Sequence, residues 1–288
     1  MTVRTLLRRG YDTLFLAEVD TPLLDALLLL AFALNTTKEK VLASLPEEVS
    51  AEAEAEYGLL LDRRGAGTPV SYIRRIKEFY GLEFYVDERV LVPRPDTEAL
   101  VEKAIDVVRA DPRLRRVHDA CAGSGCIGIA LQTALPALEV SASDLSEDAL
   151  DVLGLNAEKL LGRRMQSFLS DLLQEVPGPF DVITANPPYL RDDEVEDMRK
   201  LKWPEPEMAL RGGRDGTSVA GRLIHDAPGK LVPSGWLILE AAPHQFNKLY
   251  ALMDQAGFHS IDVVKDMAGR DRVLAGRLDP GVRGGLDG

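Results

Sequence analysis

The sequence predicts an α/β protein, with a mostly parallel sheet covered by helices on both faces and a small helical bundle ahead of it. Three observations predict this. From Val117 onward, short apolar and β-branched runs alternate with helical patterns, the signature of a parallel sheet. From Thr2 to about Arg64, leucines recur at three- and four-residue steps and no strand pattern intervenes. Finally, Asn186-Pro187-Pro188-Tyr189 stands directly after the apolar run 180–184. The prolines must end that strand because they cannot donate to a ladder. The carboxyl edge of an open α/β sheet is also where ligands bind.

The elements follow in order. In the bundle, Asp20-Thr21-Pro22 starts a helix with proline inside its first turn, Asn35-Thr36-Thr37 ends it and opens another, and Pro46-Glu47-Glu48 begins a further one. No catalytic constellation lies here, so the bundle reads either as a folding platform or as a surface for a partner. Gly65-Ala66-Gly67-Thr68-Pro69 breaks the helices. Aromatic and β-branched residues at 79–86 and 90–92, separated by Asp87-Glu88-Arg89, read as a β-hairpin joining two domains. In Pro93-Arg94-Pro95-Asp96-Thr97-Glu98, Asp96 or Thr97 is placed to cap a helix running to about Val108. Arg94, held between prolines, belongs either to a ligand-facing loop or to a rigid connector.

The alternating half then predicts strands at 117–120, 138–142, 166–169, 180–185 and 236–240, with helices from Cys126, from Glu147, over 218–231 and over 245–256. The segments 259–265 and 272–277 read as two adjacent strands closing one sheet edge. The glycine-rich tail 279–288 reads as disordered.

Composition narrows the function. A chain of 288 residues accommodates two domains, and 45% apolar with 28% charged residues describes an ordinary soluble protein. The longest apolar stretch, residues 23–34, is interrupted by Asp25 and too short to span a bilayer, and the amino terminus lacks a signal peptide's apolar centre, so a cytoplasmic location is expected. A net charge of −12 argues against a protein that grips a nucleic-acid backbone. Cys121 and Cys126 are too few for a disulfide framework, and His118, His225, His244 and His259 show no metal-ligand spacing, so reduced thiols and no metal are expected.

The N-P-P-Y run carries specific chemistry. The Asn186 side-chain carbonyl and the Pro187 main-chain carbonyl are two acceptors that converge on one –NH₂ group, and Tyr189 offers a flat face to a planar amide or amine. Alone, the tetrapeptide also fits a Pro-Pro turn with an asparagine cap. The segment 117–126 adds a glycine turn into a helix. Gly123, Gly125 and Gly128 reproduce a dinucleotide spacing, but Asp119 at the strand end would repel a pyrophosphate and suits a cofactor with an ammonium group. Asp144 ends the second strand, where a carboxylate accepts ribose hydroxyls. Asp171 is placed to accept from an adenine amino group, with Leu172 on the ring. Asp144 and Asp171 also fit helix caps, although Ser146 already suits that role. The set favours S-adenosylmethionine over a nicotinamide.

These residues carry a resemblance. Glu78-Phe79-Tyr80-Gly81, the run 90–98, the loop 119–125, N-P-P-Y, the stretch from Glu205-Pro206 through Gly212-Gly213-Arg214-Asp215-Gly216, and 266–273 resemble the protein-glutamine methyltransferases that modify the Gly-Gly-Gln loop of peptide chain release factors. The resemblance implies a Rossmann-like class I methyltransferase fold with a seven-stranded sheet. It implies a substrate-binding helical bundle at 1–75, a β-hairpin linker at 76–92, a methyltransferase domain at 93–278 and a tail at 279–288. The implied cofactor is S-adenosyl-L-methionine, leaving as S-adenosyl-L-homocysteine. The contacts that the resemblance implies are Cys121, Ala122, Gly123, Ser124, Gly125, Asp144, Leu172 and Asn186, to which the reading of the residues themselves adds Asp119 and Asp171. Asn186, Pro187, Pro188 and Tyr189 would cradle the substrate glutamine with Arg94 nearby, and Asn186, Pro187 and Tyr189 would serve the reaction. A class I release factor would be the partner of a monomer that binds neither nucleic acid nor membrane. Three positions depart from the family pattern, each in place of a glycine: Cys121, Arg75 and the Ala241-Ala242 pair after Glu240. The alternatives are the same chemistry on a ribosomal-protein glutamine or a base's exocyclic amine, or a non-catalytic release-factor or ribosome-binding protein.

Overall fold

The computed structural model describes residues 1–281, so the tail expected at 279–288 lies largely outside the described residues. Two compact units are present. One comprises Met1–Ile76 with Lys202–Pro204, the other Lys77–Leu201 with the chain from Glu205 onward.

In the first unit, α1 (Val3–Leu16), α2 (Pro22–Ala33), α3 (Lys38–Ala43), α4 (Ala51–Gly65) and α5 (Val70–Arg74) enclose a leucine core in which Leu6, Leu14, Leu29 and Leu30 are wholly buried. Each such side chain contributes about 1.5–3 kcal/mol relative to exposure. Thr2, Thr37 and Ser50 accept from the backbone N–H three residues on, which starts α1, α3 and α4. The helix expected from Pro46 therefore begins five residues later, after Ser50, and Glu48 instead pairs with Thr2 in an isolated bridge. Buried Tyr57 donates to the Ala26 carbonyl at 3.1 Å, and Gly10 makes room for it, since a Cβ there would sit 1.8 Å from the phenol oxygen.

The second unit opens with β1 (Lys77–Phe79) and β2 (Leu82–Phe84), antiparallel with Phe79 opposite Leu82. Tyr80 and Gly81 between them have φ of 51° and 71°, the positive pair required by a two-residue type I′ turn. The hairpin thus lies inside the first apolar run, and 90–92 is not its second strand. Val90, which donates to the Asp87 carbonyl at 3.2 Å and so closes a turn, and Val92 are both buried, with the Val92 N–H donating to Glu205 Oε1 at 3.0 Å. A short 3₁₀ turn, Pro95–Thr97, leads into α6 (Glu98–Ala110), and neither Asp96 nor Thr97 caps it.

There follow β3 (Arg116–Ala120), α7 (Cys126–Ala134), β4 (Glu139–Asp144), α8 (Glu147–Leu161), β5 (Gln166–Leu169), β6 (Phe180–Ala185), α9 (Asp192–Lys200), α10 (Ser218–Asp226), β7 (Leu231–Glu240), α11 (Phe246–Gln255), β8 (Phe258–Lys265) and β9 (Asp271–Leu278). The seven-stranded sheet runs β5-β4-β3-β6-β7-β9-β8, parallel from β5 to β7 and antiparallel through β9 and β8. The chain fills one side of β3 first and then crosses to β6, so the β3/β6 junction is the switch point where a crevice opens at the carboxyl ends. Ile183, Leu237, Leu239, Leu223, Leu249 and Leu274 form part of the core on this half of the sheet.

Two boundaries differ from the sequence expectation for identifiable reasons. The helix expected to reach Leu231 stops at Asp226 because Pro228 cannot continue its hydrogen-bond ladder, and β7 gains the residues from Leu231. The helix α9 was not expected at all. It carries seven acidic or basic residues and buries only Val195, so no apolar stripe announces it. No described helix is long and apolar enough to cross a membrane.

Candidate active site

The β3–α7 turn is built from left-handed residues: Cys121, Gly123 and Gly125 have φ of 56°, 53° and 79°. For a non-glycine residue such a conformation costs about 1–2 kcal/mol, which is the physical content of a cysteine at a position that favours glycine. Ala122 donates to the Ser143 carbonyl at 3.0 Å, Gly125 to the Ala122 carbonyl at 2.8 Å, and the Ser124 carbonyl accepts from Asn156 at 2.9 Å. These three residues fasten the loop and do not line the cavity beside it. Gly123 does line it, and a Cβ there would meet nothing within 4 Å.

That cavity, of 680 Å³, opens at the switch point and is lined by Cys121, Gly123, Asp144, Asp171, Leu172 and Asn186 among others. Its volume lies within the range of about 300–1,000 Å³ usual for small-molecule sites. Asp144 Oδ2 accepts from the Gly123 N–H at 2.8 Å and Oδ1 from the Ser146 N–H at 3.0 Å, and burial raises its pKa. Asp171 Oδ2 is held by the Arg222 guanidinium at 2.6 Å, and Arg222 lines the same cavity.

Asp119 is placed otherwise than the sequence suggests. It is wholly buried behind the loop, accepting from the Thr184 hydroxyl at 2.9 Å and the Gly128 N–H at 3.1 Å, and burial pushes its carboxyl up to about 7. It braces β3, β6 and α7 and does not line the cavity, so an ammonium group in the cavity would not be its direct partner.

His118, one of the four histidines without metal-ligand spacing, has a definite part. Its two ring nitrogens lie 2.9 Å from the hydroxyls of Ser141 and Ser143. The Ser143 hydroxyl donates to the Leu172 carbonyl at 3.1 Å, so His118 Nε2 must be the donor to Ser143 and Nδ1 the acceptor from Ser141. Burial keeps the ring neutral, its pKa pushed down to about 3. The relay anchors Leu172, itself left-handed with φ of 54°.

Asn186 follows β6, and its Nδ2 donates to the Thr97 hydroxyl oxygen at 3.2 Å. That bond leaves the carbonyl Oδ1 as the acceptor available on the side chain. Pro188 joins Asn186 in lining the cavity, whereas Pro187 and Tyr189 do not. The glycine-rich run after α9 explains itself here. A Cβ on Gly212 would lie 2.7 Å from the Pro188 carbonyl oxygen, and one on Gly216 2.2 Å from that of Tyr189. The run clamps the N-P-P-Y segment through Leu190–Leu210 and Gly212–Leu190 backbone bonds of 2.9 and 2.7 Å, while Gln245 donates to the Tyr189 carbonyl at 2.9 Å. Arg94 is drawn away from the cavity by an ion pair with buried Glu205 at 2.5 Å and serves as part of that connector.

Sequence reasoning therefore missed Thr97, Arg222 and the His118 relay. Each acts through a residue distant in sequence, and no local spacing reveals such a pairing.

Comparison with known proteins agrees with this architecture. The family model described as PrmC N-terminal domain matches residues 5–74, and that described as Methyltransferase small domain matches residues 97–201. The release factor glutamine methyltransferase of Rhodopirellula baltica is 36% identical over 95% of this chain and 95% of its own. That of Borreliella burgdorferi is 34% identical over 90% of this chain and 91% of its own. Among solved structures, the catalytic domain of hMettl16 in complex with a MAT2A 3′UTR hairpin is similar, with a TM-score of 0.56 and 16% identity over 74% of this chain and 81% of that one, a likeness of fold alone. Near-full-length identity at this level, together with the clamped N-P-P-Y segment beside the glycine loop, places the chain in the family of release factor glutamine methyltransferases.

Proposed function

We propose that the chain transfers a methyl group from S-adenosylmethionine to the side-chain amide nitrogen of the glutamine in the Gly-Gly-Gln motif of class I peptide chain release factors, and that it does so in the cytoplasm. One observation carries the reading. Asn186, its amide oriented by Thr97, stands at the switch-point cavity at the end of β6.

The cavity residues fit the cofactor. Gly123 leaves open space where a side chain would intrude, Asp144 presents a carboxylate at the β4 end, and Asp171 with Leu172 offers an acceptor and an apolar surface for a purine. When bound, S-adenosylmethionine supplies an electrophilic methyl group on a sulfonium. The protein's own task is to present a poor nucleophile, since an amide lone pair is delocalised. With Asn186 Oδ1 and the Pro187 carbonyl accepting its two hydrogens, the glutamine nitrogen has its lone pair directed toward the cavity, and positive charge developing on it meets two fixed dipoles. Proton loss follows once the nitrogen is alkylated and acidic, so no strong base is required in the ground state. Pro187 supports this geometry because its carbonyl lies between Asn186 at the end of β6 and residues 188–190, which the glycine run clamps.

The test is to incubate the protein with isotopically labelled S-adenosylmethionine and purified release factors and to locate the label by peptide mass spectrometry. Label on the glutamine of Gly-Gly-Gln supports the reading. Label confined to a ribosomal protein or to nucleic acid, or none at all, contradicts it.

A further inference from the structure

Beside the N-P-P-Y segment lies a buried carboxyl group without a hydrogen bond. Glu240 ends β7 one step past the Ala185–Leu239 pair, which sets it next to Asn186 across the β6/β7 edge. It is 1% exposed, and neither carboxyl oxygen has a hydrogen-bond partner. A buried carboxylate left without donors is costly, and such groups in a folded protein call for an explanation. The charged groups facing it are Arg272 from β9 and Arg94 and Asp96 from the Pro-Arg-Pro segment, with the Tyr189 phenol and the Cys126 thiol also sensing its charge. Arg272 Nη2 is committed to Asp96 and Asp266 at 2.9 and 3.4 Å while its buried Nε, like the Glu240 carboxyl, has no hydrogen-bond partner, and Arg94 is committed to Glu205.

Thr97 has the proton that Glu240 lacks. Its hydroxyl oxygen already accepts from Asn186 Nδ2, so its one hydrogen is free for another acceptor, and the residue is itself 1% exposed. The Thr97 hydroxyl is also the group that most favours the charged form of Glu240 against burial. We propose that Glu240 is a positioning residue for the glutamine-methylation reaction: by accepting the Thr97 hydroxyl proton it fixes Thr97 as the acceptor for Asn186 Nδ2, and so turns Asn186 Oδ1 toward the substrate amide. An asparagine amide reversed end for end would offer the substrate –NH₂ group two donors in place of an acceptor. The relay Glu240–Thr97–Asn186 runs through three elements distant in sequence and ends at the reacting nitrogen. It rests on the function proposed above.

Two measurements on the full-length protein test it. In the first, the Asn186 side-chain amide signals, assigned by their loss in Asn186→Asp, are followed by NMR without substrate. Glu240→Leu and Thr97→Val should each shift them and speed their exchange with water, whereas Glu240→Gln, which keeps an acceptor, should leave them near their wild-type positions. In the second, single-turnover methyl transfer should fall about tenfold in Glu240→Leu and in Thr97→Val, a loss equivalent to one orienting hydrogen bond. The double variant should lose no more than either single variant, and S-adenosylmethionine affinity by calorimetry should stay within about twofold throughout, since the loss is one of orientation. Additive losses, or Asn186 signals indifferent to Glu240→Leu, overturn the relay. Failure of the wild-type protein to methylate a release factor would count against the proposed function instead, because the amide signals report on the relay without any turnover.

Discussion

At the scale of single residues, Asn186 and Glu240 carry the sharpest consequences. On the proposed mechanism, Asn186→Ala removes an acceptor aimed at charge that develops only as the nitrogen is alkylated. Turnover should drop by about 10²–10³-fold while the affinity for S-adenosylmethionine changes far less, as checked by kinetics and calorimetry on the same preparation. Glu240 titrates in the folded protein near 7 because burial disfavours its charge, against about 4.5 when exposed. Between these values the folded state holds the proton more tightly than the unfolded chain, so this group lowers stability as pH rises from about 4.5 to about 7. Glu240→Gln abolishes that contribution. Its stability relative to wild type should improve between pH 5 and pH 8.5 by up to about 3 kcal/mol in urea unfolding, and parallel pH profiles would show that Glu240 is not buried as described. Residues of this kind set the limit of what the sequence reveals. Asn186, Gly123 and Asp144 are legible because their neighbours in sequence are the evidence for them. Asp119 is not, since a carboxylate at a strand end reads the same whether it faces a ligand or braces Thr184 and Gly128 from behind.

At the scale of elements, strands were easier to foresee than their connections. A buried parallel strand such as β6 is a continuous apolar run, so its type and its end at the proline pair follow directly. The hairpin lies elsewhere than expected because a two-residue turn with positive φ at Tyr80 and Gly81 hides within one aromatic run, while the polar residues 87–89 do form a turn but no strand follows it. The glycine run 212–216 is the connection that holds the N-P-P-Y segment in place. Gly216→Ala forces a methyl into the Tyr189 carbonyl at a residue with φ of 74°, and so must displace the N-P-P-Y segment. We expect a stability loss of about 1–3 kcal/mol and a fall in methyl transfer well beyond any change in cofactor affinity. Equal losses in both would mean that the clamp serves the fold as a whole and not the cradle.

At the scale of the whole molecule, the order β5-β4-β3-β6-β7-β9-β8 brings the glycine loop, the β4 acid and N-P-P-Y to one sheet edge although they span residues 121–189. Alternation of strand and helix announced this sheet. The return of Lys202–Pro204 to the first unit was not announced, because three residues carry no periodicity. Every residue lining the cavity belongs to the second unit. A chain lacking residues 1–76 should therefore bind S-adenosylmethionine within a few-fold of full-length affinity yet lose transfer to a folded release factor; loss of cofactor binding in a fragment that still folds would refute this division of labour. The central claim is that Asn186 and Pro187 hold a carboxamide nitrogen against the cofactor cavity. A crystal structure with S-adenosylhomocysteine and a peptide containing Gly-Gly-Gln tests it most directly. The account predicts the glutamine nitrogen within hydrogen-bond distance of Asn186 Oδ1 and the Pro187 carbonyl, its open face toward the cofactor sulfur. A glutamine seated elsewhere, or held with its carbonyl oxygen toward the sulfur, would contradict it.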